Sequence, residues 1–163
     1  RKVASHLISV GAKRICCLLC KLSADSVHTR FAGVDAEVYR ASGQHINVIE
    51  AKPNEIDVIQ EGLAKYNPDA IVCSNDVAAL SLSKTLAKLN VSIPEDIMLV
   101  GFDDVVEAGR MNPPLTSIRQ PCFELATMAF RTLLERIDNP DLPPRQILLD
   151  TSLVVRESTS KRC

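Results

Sequence analysis

Carboxylates and an amide lie within a few residues of the end of two short apolar runs of the sequence. Asn75 and Asp76 come after residues 70–73, and Asp103 and Asp104 come after residues 97–100. Short apolar runs bounded by polar or turn residues are typical of parallel strands that are buried on both faces. Ligands of open α/β sheets bind at the carboxyl ends of such strands. The pattern therefore predicts a polar pocket that accepts hydrogen bonds from hydroxyl or N–H groups.

A serine and an arginine lie where the same edge of the sheet is expected. Ser26 and Arg30 are four residues apart at the start of a predicted helix, so they share one helix face. A guanidinium there can donate two parallel hydrogen bonds to a ligand. The alternative is a surface arginine that pairs with Asp25 or Glu37.

Some of these polar residues have a simpler structural explanation. Asn75 or Asp76 can cap the helix that follows, and one of Asp103 and Asp104 can cap a helix over residues 105–110. The sequence shows no nucleophile with a base, no glycine-rich phosphate loop and no metal-ligand cluster beside them. We therefore predict a binding protein that is not an enzyme and that holds no metal and no cofactor.

Cysteine spacing gives a second candidate site. Cys17 and Cys20 form a C-x-x-C pair, but they belong to an apolar run with Cys16 and have no second pair nearby. We interpret them as small hydrophobic residues of a strand, which fits a reducing, cytoplasmic compartment.

Composition limits the classes of protein further. The chain has 163 residues, of which 46% are hydrophobic, and a formal net charge of −1. These values indicate a folded domain without the basic surface that nucleic acids require. No stretch predicts a membrane span or a signal peptide. Because the sequence opens without Met, we expect it to be part of a longer protein.

Alternating helical and strand patterns organise the first two thirds of the chain. After a helix over residues 2–10, the pattern predicts four strands separated by helices, with a polar loop over residues 21–26. This order predicts an α/β fold with a three-layer, doubly wound, mostly parallel sheet. Residues 116–120 and 146–156 are predicted as further strands. Between them, a helix over residues 123–137 carries an apolar stripe with no strand to pack against.

Several motifs, in order along nearly the whole chain, resemble the effector-binding domain of lactose-repressor/galactose-repressor transcription regulators. The motifs are VGAKRI at residues 10–15, S-x-x-x-RFAG at 26–33, AIVCSND at 70–76, IPEDI at 93–97, VGFDD at 100–104, PLTSIRQ at 114–120 and LVVREST at 153–159. Residues 49–53 lack the aromatic side chain that the family often has there.

The resemblance implies a fold like the type I periplasmic binding proteins, in which two subdomains close on a ligand. Residues 1–117 and 148–163 would form the carboxyl-terminal subdomain, and residues 118–147 would be a crossover segment of the amino-terminal subdomain. The apolar stripe on the crossover helix would then pack on that subdomain. The family's helix-turn-helix headpiece, through which it binds DNA, is absent here.

The resemblance also implies a function and a set of site residues. The full-length protein would be a cytoplasmic, homodimeric repressor whose affinity for DNA changes when a small effector, such as a sugar or a nucleobase-like molecule, binds. The dimer would form through residues 77–89 and 106–114. A secreted sugar-binding protein of a transporter is the alternative. The ligand-binding residues implied by the motifs are Ser26, Arg30, Asn75, Asp103 and Gln120, and Asp76 would cap its helix.

Overall fold

Strands and helices alternate along the chain, as the sequence predicts. The computed structural model describes residues 1–20 and 24–160. The elements, in order, are α1 (Lys2–Ser9), β1 (Ile15–Leu19), α2 (Asp25–Ser42), β2 (Asn47–Glu50), α3 (Ile56–Tyr66), β3 (Ala70–Cys73), α4 (Asp76–Lys88), β4 (Met98–Asp103), α5 (Val106–Arg110), β5 (Thr116–Arg119), α6 (Cys122–Asp138) and β6 (Ser152–Val154), followed by a 3₁₀ turn (Glu157–Thr159).

The six strands form one sheet in the order β2-β1-β3-β4-β5-β6. The first five strands are parallel, and β6 pairs antiparallel with β5. The register places Leu18 beside Cys73 and Asp103 beside Arg119. The carboxyl ends of the parallel strands therefore lie along one edge of the sheet.

Helices cover both faces of the sheet. On one face, α1 and α2 pack through residues such as Leu7 and Phe31 against Val72 and Val100. On the other face, the helices α3, α4 and α5 complete a second core, which includes Leu82. The three-layer, doubly wound architecture predicted from the sequence is confirmed. None of the described helices is both long and apolar enough to cross a membrane.

Local sequence explains where several elements begin and end. Gly43 follows α2 at a φ of 71°, a left-handed conformation that glycine adopts without strain. Asn67 ends α3 in the same region, at a φ of 42°. Just before β2 begins at Asn47, Asp35 of α2 is hydrogen-bonded to the His45 ring and accepts from the backbone N–H of Ile46.

Two predicted boundaries need correction. The last strand is much shorter than residues 146–156, because only Ser152–Val154 pairs with β5 before the 3₁₀ turn begins. The predicted loop over residues 21–26 is shortened by α2, which begins at Asp25, and residues 21–23 lie outside the described part of the chain. The helix α6 forms as predicted, and none of its residues is buried.

Cys16 and Cys17 are core residues of β1. The prediction that Cys20 belongs to the same strand was wrong, because β1 ends at Leu19 and Cys20 is only half-buried. Cys16 and Cys17 point to opposite faces of β1, where each belongs to one of the two cores. Burial raises the pKa of Cys16 to about 11 and that of Cys17 well above its ordinary value. Both thiols therefore stay protonated at neutral pH, and Cys17 lacks the acidic thiol of a redox-active pair.

Candidate functional site

The carboxyl edge of the sheet brings together side chains from distant parts of the sequence. Arg30, in the second turn of α2, reaches across to β3 and β4. Its Nη1 donates a hydrogen bond of 2.9 Å to the backbone oxygen of Ser74. The guanidinium carbon also lies 3.8 Å from the centre of the Phe102 ring. These two contacts hold Arg30 at the strand ends and favour a role there over a purely surface position.

The alternative of a surface ion pair between Arg30 and Glu37 is not what the structure shows. Glu37 instead accepts hydrogen bonds from Ser5 of α1 and from Arg40 on its own helix. Ser26 is exposed in the first turn of α2, one helical turn before Arg30. The helix thus presents a hydroxyl and a guanidinium along one face, as their spacing predicts.

Asp103 is the last residue of β4, and its half-buried carboxylate lies beside the end of β5. Its Oδ1 accepts a hydrogen bond of 2.7 Å from Nε2 of Gln120. The backbone is left-handed at both Asp103 and Asp104, with φ of 109° and 57°. Such conformations are strained for residues other than glycine and concentrate at functional sites. The structure thus places two predicted site residues in direct contact.

Asn75 is the residue that caps α4. Its Oδ1 accepts a hydrogen bond of 2.8 Å from the backbone N–H of Ala78, which leaves its amide nitrogen as the group that can serve a ligand. The prediction that Asp76 is the cap was wrong. Asp76 is fully buried, and its Oδ1 accepts from Ser117 Oγ at 2.6 Å while its Oδ2 accepts from the backbone N–H of Val105 at 2.9 Å.

The Asp76 carboxylate fits only because its neighbour on β4 has no side chain. A Cβ atom on Gly101 would lie 2.0 Å from Asp76 Oδ1. Burial raises the pKa of Asp76, whereas the hydrogen bonds from Ser117 and Val105 lower it, and the net shift is upward. The nearby charges of Asp103 and Asp104 add to the upward shift.

Asp104 also has a different role from the predicted helix cap. Its Oδ2 accepts from Arg119 Nε and its Oδ1 from Arg156 Nη2, each at 2.6 Å. Burial alone would raise the pKa of this carboxyl, but the two guanidinium groups outweigh it and the pKa is lowered. The backbone N–H of Val105, the residue before α5, donates to Asp76 instead. Asp104 is therefore the centre of an ion-pair cluster.

Sequence reasoning missed several partners of the predicted residues. They are Ser74, Phe102, Ser117, Arg119 and Arg156. Phe102 carried a usable signal, since it lies between Gly101 and Asp103 in the same motif. The contacts of Ser117 and Arg156 depend on the pairing of β5 with its neighbours, which no local pattern reveals. Within residues 1–20 and 24–160, no three His, Cys, Asp or Glu side chains are arranged to hold a metal ion.

Comparison with known proteins identifies the fold family. Residues 4–159 match the family described as periplasmic binding protein-like domain. The chain belongs to this family. The periplasmic binding protein-like domain is 30% identical over 159 residues to the ribose operon repressor of Escherichia coli K12, an alignment that covers 94% of the chain and 48% of that repressor. It is 29% identical to the regulator MalR of Streptomyces coelicolor, over 96% of the chain and 48% of the relative.

Solved structures agree with these sequence relatives. A LacI family regulator from Enterococcus faecium with bound ribose superposes with a TM-score of 0.83 at 26% identity, covering 98% of this chain and 61% of that one. A LacI-type protein from Alkaliphilus metalliredigens complexed with D-xylulofuranose gives 0.84 at 27% identity, with the same coverage. The domain spans about half the length of the curated relatives it matches.

The close packing of Asp76 against Gly101 gives a first testable prediction. We expect Gly101→Ala to lower the free energy of unfolding by about 3 kcal/mol, because the new methyl group must displace a buried, hydrogen-bonded carboxylate. Gly109→Ala on α5 is the matched control, since a Cβ there meets no atom closer than 3.9 Å. Urea denaturation of both variants measures the difference. Equal stability of the two variants would show that Asp76 moves aside without cost.

Proposed function

We propose that this domain senses a small neutral sugar for a bacterial transcription regulator, and that ligand binding changes the regulator's affinity for its operator. The observation that carries the proposal is the placement of Arg30 and Asp103 at neighbouring strand ends, each fixed by a further protein group. The proposed ligand-binding residues are the five that the sequence predicts, Ser26, Arg30, Asn75, Asp103 and Gln120.

The chemistry of these groups favours a polyhydroxyl ligand. A guanidinium and an amide nitrogen donate hydrogen bonds, and a carboxylate accepts two, which matches adjacent sugar hydroxyls. The Phe102 ring is already covered by Arg30, and residues 49–53 supply no aromatic side chain for stacking on a base. The related structures hold ribose, D-xylulofuranose and, in the regulator CelR, cellobiose. We therefore place a sugar before a nucleobase-like effector.

The exposed helix α6 supports the proposed division into subdomains. Its apolar side chains face solvent, with Phe123 80%, Phe130 61% and Ile137 63% exposed. A row of large apolar side chains on a helix with no buried residue indicates a missing packing partner. We propose that residues 118–147 belong to a second subdomain, which closes over the strand ends, and that residues 1–117 and 148–163 form the carboxyl-terminal subdomain.

The remaining half of the protein would complete the regulator. The curated relatives are repressors and regulators about twice as long as this chain, which supports a regulator over the binding protein of a transporter. We propose that DNA binding resides in a helix-turn-helix outside the 163 residues, and that the protein acts in the cytoplasm. Two exposed valines, Val77 on α4 (68%) and Val106 on α5 (65%), support the proposal that it dimerises through these helices.

Effector binding tests the proposed site directly. Isothermal titration of the parent protein with D-ribose, cellobiose and adenine should show binding of a sugar. Arg30→Ala and Asp103→Ala should each weaken it by at least about tenfold, since each removes a charged hydrogen-bonding group. Arg30→Lys should fall between, because it keeps the charge and loses the planar fork.

The matched control for this experiment is Arg40→Ala, which removes an exposed arginine about three turns further along α2. It should bind the sugar as the wild type does. Circular dichroism confirms that all variants are folded. Unchanged sugar affinity in Arg30→Ala and Asp103→Ala would refute the site, and a parent protein that binds adenine but neither sugar would refute the ligand class.

Dimerisation gives a separate prediction. The double variant Val77→Asp/Val106→Asp should convert the parent protein from a dimer to a monomer in sedimentation velocity, because it places four carboxylates in the dimer contact. Val58→Asp, an exposed valine of α3 (41%), should leave the dimer intact. A monomeric wild-type protein at micromolar concentration, or a dimer that survives the double change, would contradict this arrangement.

A further inference from the structure

We propose that Asp104 is a positioning residue for the ligand contact at Asp103. It couples that contact to β5 and β6, the strands before and after the part of the chain that contains α6 (the α6 segment). This inference rests on the proposed function, because it takes Asp103 as a ligand contact. It adds a residue that does not itself face the ligand and a route by which movement of the second subdomain reaches the site.

The first observation is the concentration of charge on one buried carboxylate. The Asp104 side chain is only 4% exposed, and both of its oxygens are occupied. Arg119 Nε donates to one oxygen and Arg156 Nη2 to the other, each at 2.6 Å. A buried carboxylate shared by two guanidinium groups holds its partners far more firmly than an exposed ion pair does.

The second observation is where the two arginines lie in the chain. Arg119 is the last residue of β5, immediately before the chain departs toward α6. Arg156 follows β6, the strand by which the chain returns and pairs with β5. Arg156 is itself fixed, because its Nη1 donates to the backbone oxygen of Leu115 and its N–H to Thr116 Oγ1. Asp104 is therefore hydrogen-bonded to one residue before the α6 segment and to one residue after it.

The third observation is the backbone of the turn that carries Asp103 and Asp104. Both residues are left-handed, and the backbone N–H of Asp104 donates to Ser117 Oγ at 3.1 Å. Such a turn persists only when its surroundings fix it. Since Asp103 directly precedes Asp104, release of the Asp104 carboxylate would let the turn relax and would move the Asp103 carboxylate away from Gln120.

These contacts define a mechanical link. A shift of α6 relative to the sheet displaces Arg119 or Arg156, and the buried ion pairs carry that displacement to the turn. Conversely, a ligand held by Asp103 stabilises the arrangement in which both arginines are bound. Coupling of this kind is reciprocal by thermodynamic necessity, so each event biases the other.

Nuclear magnetic resonance on the 163-residue chain tests the positioning claim without any ligand. In Asp104→Asn and Arg119→Gln, we expect the backbone amide of Asp103 and the side-chain amide of Gln120 to shift and to exchange faster with water. Because the Arg119 side chain is 58% exposed, we expect Arg119→Gln to keep the fold even if Asp104→Asn does not. Arg119→Lys, which keeps the charge, should restore most of the wild-type spectrum. Arg40→Gln, which removes an exposed guanidinium that pairs with Glu37 far from the strand ends, is the control.

A second readout uses D-ribose affinity of the parent protein. Asp104→Asn and Arg156→Gln should each weaken binding by about tenfold, and the double variant should lose little more, because both act through one contact. Wild-type resonances for Asp103 and Gln120 in Asp104→Asn and Arg119→Gln, or an additive loss of about a hundredfold in the double variant, would overturn the inference. Failure of the wild type to bind either D-ribose or cellobiose would count against the proposed function. The resonances of Asp103 and Gln120 would still decide the role of Asp104.

Discussion

The buried carboxylate of Asp76 is the contact on which the geometry of the strand ends depends. It lies at the start of α4, rests against Gly101 of β4, and accepts hydrogen bonds from Ser117 of β5 and from the backbone N–H of Val105. Burying a carboxylate without such partners would cost several kcal/mol of desolvation free energy. These contacts hold α4, β4, β5 and the residue before α5 together. They therefore fix the ends of the turn that carries Asp103.

The sequence predicted the fold well and the roles of neighbouring carboxylates poorly, for one physical reason. Apolar periodicity is a local property, so β3 and the surrounding helices could be recognised from their own residues. Whether Asn75 or Asp76 caps α4 depends on Gly101 and Ser117, which are more than twenty residues away. The position of Arg30 could be predicted from helix spacing, whereas its stacking on Phe102 could not, because that contact requires the register between strands.

The site combines firmly held and strained parts. Arg30 and Asn75 are fixed by backbone groups, and Asp103 lies on a left-handed turn held by side chains. In the proposed function, such a surface would be preorganised where it recognises the ligand and adjustable where it responds to it. The exposed apolar side of α6 lies on the segment that begins just after Gln120. The proposed ligand recognition and subdomain movement would therefore meet at the end of β5.

A crystal structure of the parent protein with D-ribose tests the central claim, that the strand ends carrying Arg30 and Asp103 form one side of the ligand site. We predict sugar hydroxyls within hydrogen-bond distance of the Arg30 guanidinium and the Asp103 carboxylate, with the second subdomain closed over them. A sugar bound elsewhere on the domain would contradict this claim. An example is the groove beside Lys84 and Asn112, near the amino-terminal ends of β4 and β5.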